Sequence, residues 1–357
     1  MMVWYNKFKG FIKKGIFMKN LQSIFTQFHN IIRLEEKDKS ILIEKRKQVE
    51  ESINIDVSKF KVEFFNQGSY STYTGVLPYE GDDYDIDRGA IADFSCEDMS
   101  PKEAKKNIYD ALLKTFEADN VKVKQPCVTV SFPKDGVHVD VALYCRENNN
   151  IFLARGKLNS SEDNTLWEES DPKLLTKKIN EAMNDSEDRD QFRRIIRYMK
   201  RWKDVQFKKQ ENRPTGIGIS IFAVNYFIAN KEVDYLSAKT TYDDVNALKD
   251  FVTIMISKFH YDYDLDKKEY YRRLEVTLPV KPWTDVYCKV SNIQMQDFYD
   301  KLVHLKEELE EVISTSDLQE ATKIINKQFG NEFPSVAQEE TAKLFAGRAI
   351  ISDHPSA

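Results

Sequence analysis

Two short segments constrain this chain more than anything else in it, because each alternates like a half-buried strand and each sets acids on one face. In Tyr84-Asp85-Ile86-Asp87-Arg88-Gly89, alternate side chains of a strand point the same way, so Asp85 and Asp87 share a face and Ile86 enters the core. In Val137-His138-Val139-Asp140-Val141-Ala142-Leu143, the residues Val139, Val141 and Leu143 face one way and Asp140 faces the other. Crowded carboxylates repel unless a cation neutralises them, and an all-oxygen donor set at this density suits Mg2+, with Mn2+ as a substitute. If the two strands are neighbours in one sheet, the three acids hold two ions. One ion lowers the pKa of an attacking hydroxyl and the other stabilises a leaving pyrophosphate; Asp140 is also placed to accept the hydroxyl proton.

Upstream, a strand over 61–66 runs into Gln67-Gly68-Ser69. Gly68 permits a tight turn, and the N–H groups and hydroxyl that follow can hold phosphate oxygens. Each piece alone is weak. The run Tyr261-Asp262-Tyr263-Asp264-Leu265-Asp266 repeats the D-x-D spacing, but it lacks an upstream Gly-Ser turn and a partner strand bearing an acid, and reads as a solvated loop. The order of strand, Gly-Ser turn, D-x-D strand and acid-bearing strand is what carries the reading.

The remaining pattern predicts an α+β chain of two lobes. Apolar residues recur at helical spacing over 21–53, as one long or broken helix lying across both lobes. Strands are expected at 61–66, 84–92, 121–125, 127–132 and 137–145, interrupted by a helix over 101–116 that Ser100 caps and Pro101 opens. After Asp171-Pro172 the pattern turns helical: 173–183, 189–207, 217–230, 245–259, 293–313 and 318–329. The expected divisions are an N-terminal extension at 1–17, a catalytic lobe at 18–170, a helical lobe completing the pocket at 171–331 and a flexible tail at 332–357. In the extension, Gly10 and Gly15 weaken a helix, and reading it as an untidy extension ahead of a natural start at Met18 is preferred to reading it as an amphipathic anchor for an anionic surface. Within 192–203 an apolar stripe is backed by a basic one, read for most of its cations as a solvated face, with Lys200 alternatively reaching a triphosphate. Ser220 reads as structural, with a polar contact in the same pocket as its alternative.

Composition narrows the partners. Lys and Arg (53) nearly balance Asp and Glu (58), a formal charge of -5 that gives little bulk attraction for nucleic acid. The cysteines Cys96, Cys127, Cys145 and Cys288 and the five histidines are scattered, suggesting neither disulfides nor structural zinc and fitting a reducing cytoplasm. No apolar run reaches the ~20 residues of a membrane span.

With these residues in place the chain resembles the polymerase β-like nucleotidyltransferase superfamily. More closely, it resembles the bacterial cGAS/DncV-like nucleotidyltransferases (CD-NTases) of CBASS anti-phage systems. The stretches are Gln67-Gly68-Ser69, 84–89, 137–144, Trp167-Glu168-Glu169-Ser170-Asp171-Pro172, 197–204 and 325–331. The resemblance implies a bilobal fold, with a mixed-sheet catalytic lobe and a mainly helical C-terminal lobe, and synthesis of a cyclic di- or trinucleotide second messenger. It implies that Gln67, Gly68, Ser69, Lys200 and Ser220 bind nucleotide, and that Asp85, Asp87 and Asp140 are catalytic and hold the two Mg2+ ions. It implies ATP, GTP or other triphosphates as substrates and an effector protein reached through the product. A ubiquitin-transfer-like accessory enzyme would act at the C-terminal Ala357. The animal enzyme's zinc insertion is missing, which argues against a double-stranded DNA activator. The alternatives are a related transferase modifying RNA or protein, and a catalytically silent nucleotide-binding sensor.

Overall fold

A computed structural model describes residues 2–336 apart from 35, 209, 210, 212 and 266. The chain opens with α1 (Met2–Ile32), whose backbone runs helically through Gly10 and Gly15, and α2 (Glu36–Asp56). The periodic segment over 21–53 is therefore two helices, broken where Arg33 bridges Val76. Each helix buries its face in a different core. Phe17, Leu21, Phe25, Phe28 and Ile32 of α1 join the helical half, while Leu42, Val49 and Ile53 of α2 pack under the sheet.

The sheet half contains β1 (Val62–Asn66), α3 (Gly68–Ser71), β2 (Tyr84–Ser95), α4 (Pro101–Leu112), β3 (Val121–Val123), β4 (Val128–Phe132), β5 (Val137–Glu147), β6 (Asn150–Arg155) and β7 (Leu166–Ser170). The strands form one mixed sheet in the order β1-β2-β5-β4-β3, with β6 on the far part of β5 and β7 beside β6. Only the β2–β5 pair is parallel, and α4 lies on the connection that such a pair requires. Ser100 caps α4 by accepting from the Glu103 N–H at 3.2 Å, and Pro101 sits in its first turn. Ala104, Ile108 and Leu112 of α4 meet Val128, Val130, Val137, Val139 and Val141 in one cluster, each fully buried valine contributing roughly 1.5–3 kcal/mol.

The helical half contains α5 (Pro172–Asn180), α6 (Ser186–Gln206), α7 (Gly216–Tyr226), α8 (Asp244–Ser257), α9 (Asn292–Ser314) and α10 (Leu318–Phe329), with two hairpins, β8 (Lys231–Asp234) with β9 (Lys239–Tyr242) and β10 (His260–Asp264) with β11 (Glu269–Arg273). The run 261–266, expected as a solvated loop, starts as the first strand of the second hairpin. Its tyrosines stay outside, with Tyr261 and Tyr263 exposed, so no buried face announced it. Among the described residues no helix is long and apolar enough to cross a membrane. Residues 337–357, with Ala357 and most of the expected tail, lie outside the described residues, whereas Phe333, near the start of that expected tail, is buried in the core of the helical half.

Two further expectations fail. Cys96 and Cys145 form a disulfide, with their Cα atoms 5.4 Å apart, because the parallel pairing sets Ser95 beside Arg146 and so aligns residues 49 positions apart. The inference of a reducing compartment from scattered cysteines loses its support. The basic stripe of α6 is also not a solvated face, since Arg201 is fully buried, Lys200 nearly so, and Arg194 pairs with the buried Asp244 at 2.7 Å.

Candidate active site

The parallel register places Asp87 directly beside Asp140 and Asp85 beside His138, on one face at the edge of a cleft of about 620 Å³ between the sheet and the helical half. Ile86 goes the other way, into the core under the sheet. Burial pushes the Asp87 carboxyl up to about 6, with the charges of Asp140 and Asp85 adding to the effect. Asp85 reaches solvent at the rim, yet desolvation within the cleft and then Asp140 raise it too. These are shifts of carboxylates short of positive charge.

Gly68 abuts this cluster. Its φ of +68° lies in the left-handed region, and a Cβ there would fall 1.9 Å from Oδ2 of Asp87. Glycine is therefore required twice, by the turn and by the approach to the acid. Ser69 follows in the short helix α3, whose first N–H groups have no partner within a helix. Ser69 also lines the cleft. Gln67 does not line it: Tyr144 donates to its Oε1 at 3.1 Å, which turns that side chain toward the sheet.

The opposite wall comes from α6 and α7. Lys200 lines the cleft, but its ammonium donates to the carbonyl and the hydroxyl of Thr74, both at 3.0 Å, and burial lowers it to about 7. Its neighbours at helical spacing do the same work on the same loop. Arg197 donates to the carbonyls of Gly75 (3.1 Å) and Tyr73, and Arg201 to that of Leu77 (2.8 Å). The stripe thus grips residues 73–77, directly downstream of Gly68-Ser69. Ser220 lines the cleft with its hydroxyl donating to Gly216 at 3.1 Å, and Gly216 lies against the Lys200 stem.

Several polar groups here had no sequence signal. Thr129, opposite Asp140 in the antiparallel β4–β5 register, donates its hydroxyl to Oδ1 of Asp140, and Lys124 stands 3.4 Å from both oxygens of the same carboxylate. His138 is bonded on both ring nitrogens, to Ser131 at 2.9 Å and Asp83 at 2.6 Å. His138 alone could have been found, since it lies two residues before Asp140 on the same strand face.

The donor set fits a divalent cation: hard oxygens, desolvated, with Asp85 and Asp87 lacking the cation that Asp140 has. Among the described residues, the one group of His, Cys, Asp and Glu with ligand atoms all within 4.8 Å of one another is the exposed trio His260, Asp262 and Glu275 on the second hairpin and just after it.

Residues 62–144 match the family model for the nucleotidyltransferase domain of DncV-like cyclic GMP-AMP synthases, a span holding Gln67, Gly68, Ser69, Asp85, Asp87 and Asp140. The chain carries a DncV-like nucleotidyltransferase domain. A cyclic GMP-AMP synthase of Escherichia albertii is 30% identical over 192 residues, which is 52% of this chain and 39% of that relative. The chain thus spans well under half of the curated relative it matches. Among solved structures, the CD-NTase CdnG of Bradyrhizobium diazoefficiens in complex with GTP aligns with a TM-score of 0.65 at 16% identity, over 90% of this chain and 98% of that one. CdnC of E. coli MS115-1 with ATP gives 0.62 at 17%, over 88% and 98%. Vibrio cholerae DncV, a cyclic AMP-GMP synthase, gives 0.57 at 19%, over 94% and 92%. The α+β, two-lobed CD-NTase fold extends well beyond the domain match.

Proposed function

We propose that this nucleotidyltransferase makes a cyclic oligonucleotide from nucleoside triphosphates, as a second messenger in bacterial anti-phage (CBASS) defence. The observation that carries the reading is the in-register pairing of Asp87 with Asp140, with the backbone of Gly68 pressed against Asp87. Support for cyclisation comes from the domain match and from the cyclic GMP-AMP synthase it resembles.

Asp85, Asp87 and Asp140 would hold two divalent cations, Mg2+ in the first instance, which supply Lewis acidity at the phosphates and lower the pKa of the attacking hydroxyl. The chain's own groups do the rest. Gly68 and Ser69 orient the triphosphate through backbone N–H groups and the Ser69 hydroxyl. Asp140 accepts the proton of a ribose hydroxyl as its oxygen bonds to the α-phosphorus, and the bond to the β-phosphate oxygen breaks to release pyrophosphate. Lys200 acts on this site by fixing the loop at Thr74, so we assign it positioning rather than phosphate contact. The linear product then rebinds and the same chemistry closes the ring. We place the catalytic lobe at 18–170 and the helical lobe at 171–331, with α1 lying on the latter.

The test is a mass spectrum of the phosphatase-treated products formed from the four ribonucleoside triphosphates and Mg2+. Cyclic oligonucleotides made without any added acceptor, and lost in Asp85→Asn and Asp87→Asn, are the expected result. Labelled RNA or modified protein in their place would move the reading to an acceptor-directed transferase. Pyrophosphate release untouched by Asp85→Ala would end the catalytic assignment.

A further inference from the structure

The three acids are unevenly served. Asp85 and Asp87 face each other's charge in the cleft, whereas Asp140 already holds a proton donor, Thr129, and a cation, Lys124. The Lys124 ammonium straddles the carboxylate, 3.4 Å from each oxygen, and so sits where a shared divalent cation would draw on the same lone pairs. This contact is half-exposed, with the lysine side chain 47% and the aspartate 21% accessible, and pairs of that kind are weak enough to yield to a divalent ion.

The backbone under Lys124 is, by contrast, fixed. The buried Lys105 donates to the carbonyls of Lys124 (2.6 Å), Gln125 (3.0 Å) and Gly156 (2.7 Å), the Lys124 N–H donates to Cys127 at 2.9 Å, and the Gly156 N–H donates to Gln125 at 3.0 Å. Lys105 is a charge taken out of water to hold a turn that makes no core of its own. A rigid stem with a flexible four-carbon side chain gives a cation that can change partners without the turn moving. Both Lys124 and the phosphate-facing residues Gly68 and Ser69 line the same cleft.

We propose that Lys124 is a tethered counter-ion: its ammonium holds the Asp140 carboxylate until a divalent cation arrives and, once displaced, turns to the phosphates of the bound nucleotide. The inference rests on the reading of Asp85, Asp87 and Asp140 as the cation site.

The experiment uses the full chain, with Mn2+ as the metal probe followed by electron paramagnetic resonance, and α,β-methylene-ATP as the nucleotide probe titrated at saturating Mn2+. Lys124→Met removes the competitor and the phosphate contact together, so Mn2+ should bind about two- to fivefold more tightly while the analogue binds about fivefold more weakly. A merely structural lysine would not move the two affinities in opposite directions. Lys124→Arg keeps the charge and should stay within about twofold of the parent for both. Unchanged Mn2+ affinity in Lys124→Met overturns the counter-ion role, unchanged analogue affinity overturns the phosphate contact, and an arginine variant that behaves like the methionine one overturns both. Asp140→Asn separates the underlying reading: it should weaken Mn2+ binding, and if it does not, the cation site itself is wrong and the Lys124 proposal falls with it.

Discussion

Gly68 couples the turn that we propose holds the triphosphate to the acid cluster through a single backbone position. Alanine there meets a left-handed φ, which costs roughly 1–2 kcal/mol, and its Cβ would occupy the space of the Asp87 carboxylate. We therefore expect Gly68→Ala to remain folded by circular dichroism but to lose on the order of 10²-fold or more in initial rate, because displacing a reacting group by about an ångström is enough for that. A rate within a factor of a few of the parent would mean that Asp87 is not where the chemistry happens. At this scale the sequence was readable where local period decides orientation. Asp85, Asp87 and Asp140 alternate with core residues, and that alone fixes their face. Asp262 and Asp264 share the spacing but sit on an outer hairpin, and the missing context separated them. Lys124, Thr129 and Asp83 were not readable, because their approach to Asp140 and His138 depends on strand register and turn geometry rather than on periodicity.

Among the elements, β2 and β5 carry the acids near their starts and are joined beyond their parallel pairing by Cys96–Cys145. A cross-link over 49 residues removes loop-closure entropy from the unfolded chain worth up to about 4 kcal/mol. Replacing both cysteines by alanine should lower the urea midpoint, and reductant should shift the parent toward the variant while leaving the variant where it is. A midpoint indifferent to both would mean that the bond adds nothing to stability. The pair escaped sequence reading because 49 residues and an entire crossover separate its members. Helix α6 was legible as a helix and misjudged as a surface. Its cations at 197, 200 and 201 have carbonyl partners on the 73–77 loop, and sequence separations of 122 to 126 hide such partners from any pattern along the chain. The two hairpins were missed for the opposite reason, since all four residues of β8 and four of the five in β10 are exposed and no buried face marks either strand.

Over the whole molecule, the sheet and the helical half keep separate cores and meet at the cleft, so the groups between them set how firmly the site is assembled. His29 is one of these. It extends from α1 to the first guanidinium nitrogen of Arg197 at 3.0 Å, and burial, followed by the charge of Arg197, lowers it to about 3 from 6.5. The imidazole is therefore neutral and accepts from Arg197, while the same arginine holds the 73–77 loop. Because the folded pKa lies below the unfolded one, the unfolded chain takes up the proton first as pH falls. Stability from this contact is complete above about 6.5 and is lost toward about 3. Between pH 7 and pH 5 the loss from His29 is about 2 kcal/mol. Asp87, raised to about 6, acts in the opposite sense, favouring the folded state as it protonates below that value, so the pH dependence of the parent alone does not isolate the histidine. A difference measurement does. His29→Gln leaves a carbonyl oxygen to accept from Arg197 but cannot be protonated, and urea unfolding of parent and variant at pH 7 and pH 5 should show the parent losing about 2 kcal/mol more than the variant. Equal losses would mean that His29 takes up its proton in the folded state, and that the grip of α6 on the loop beside the acids tolerates a charge there.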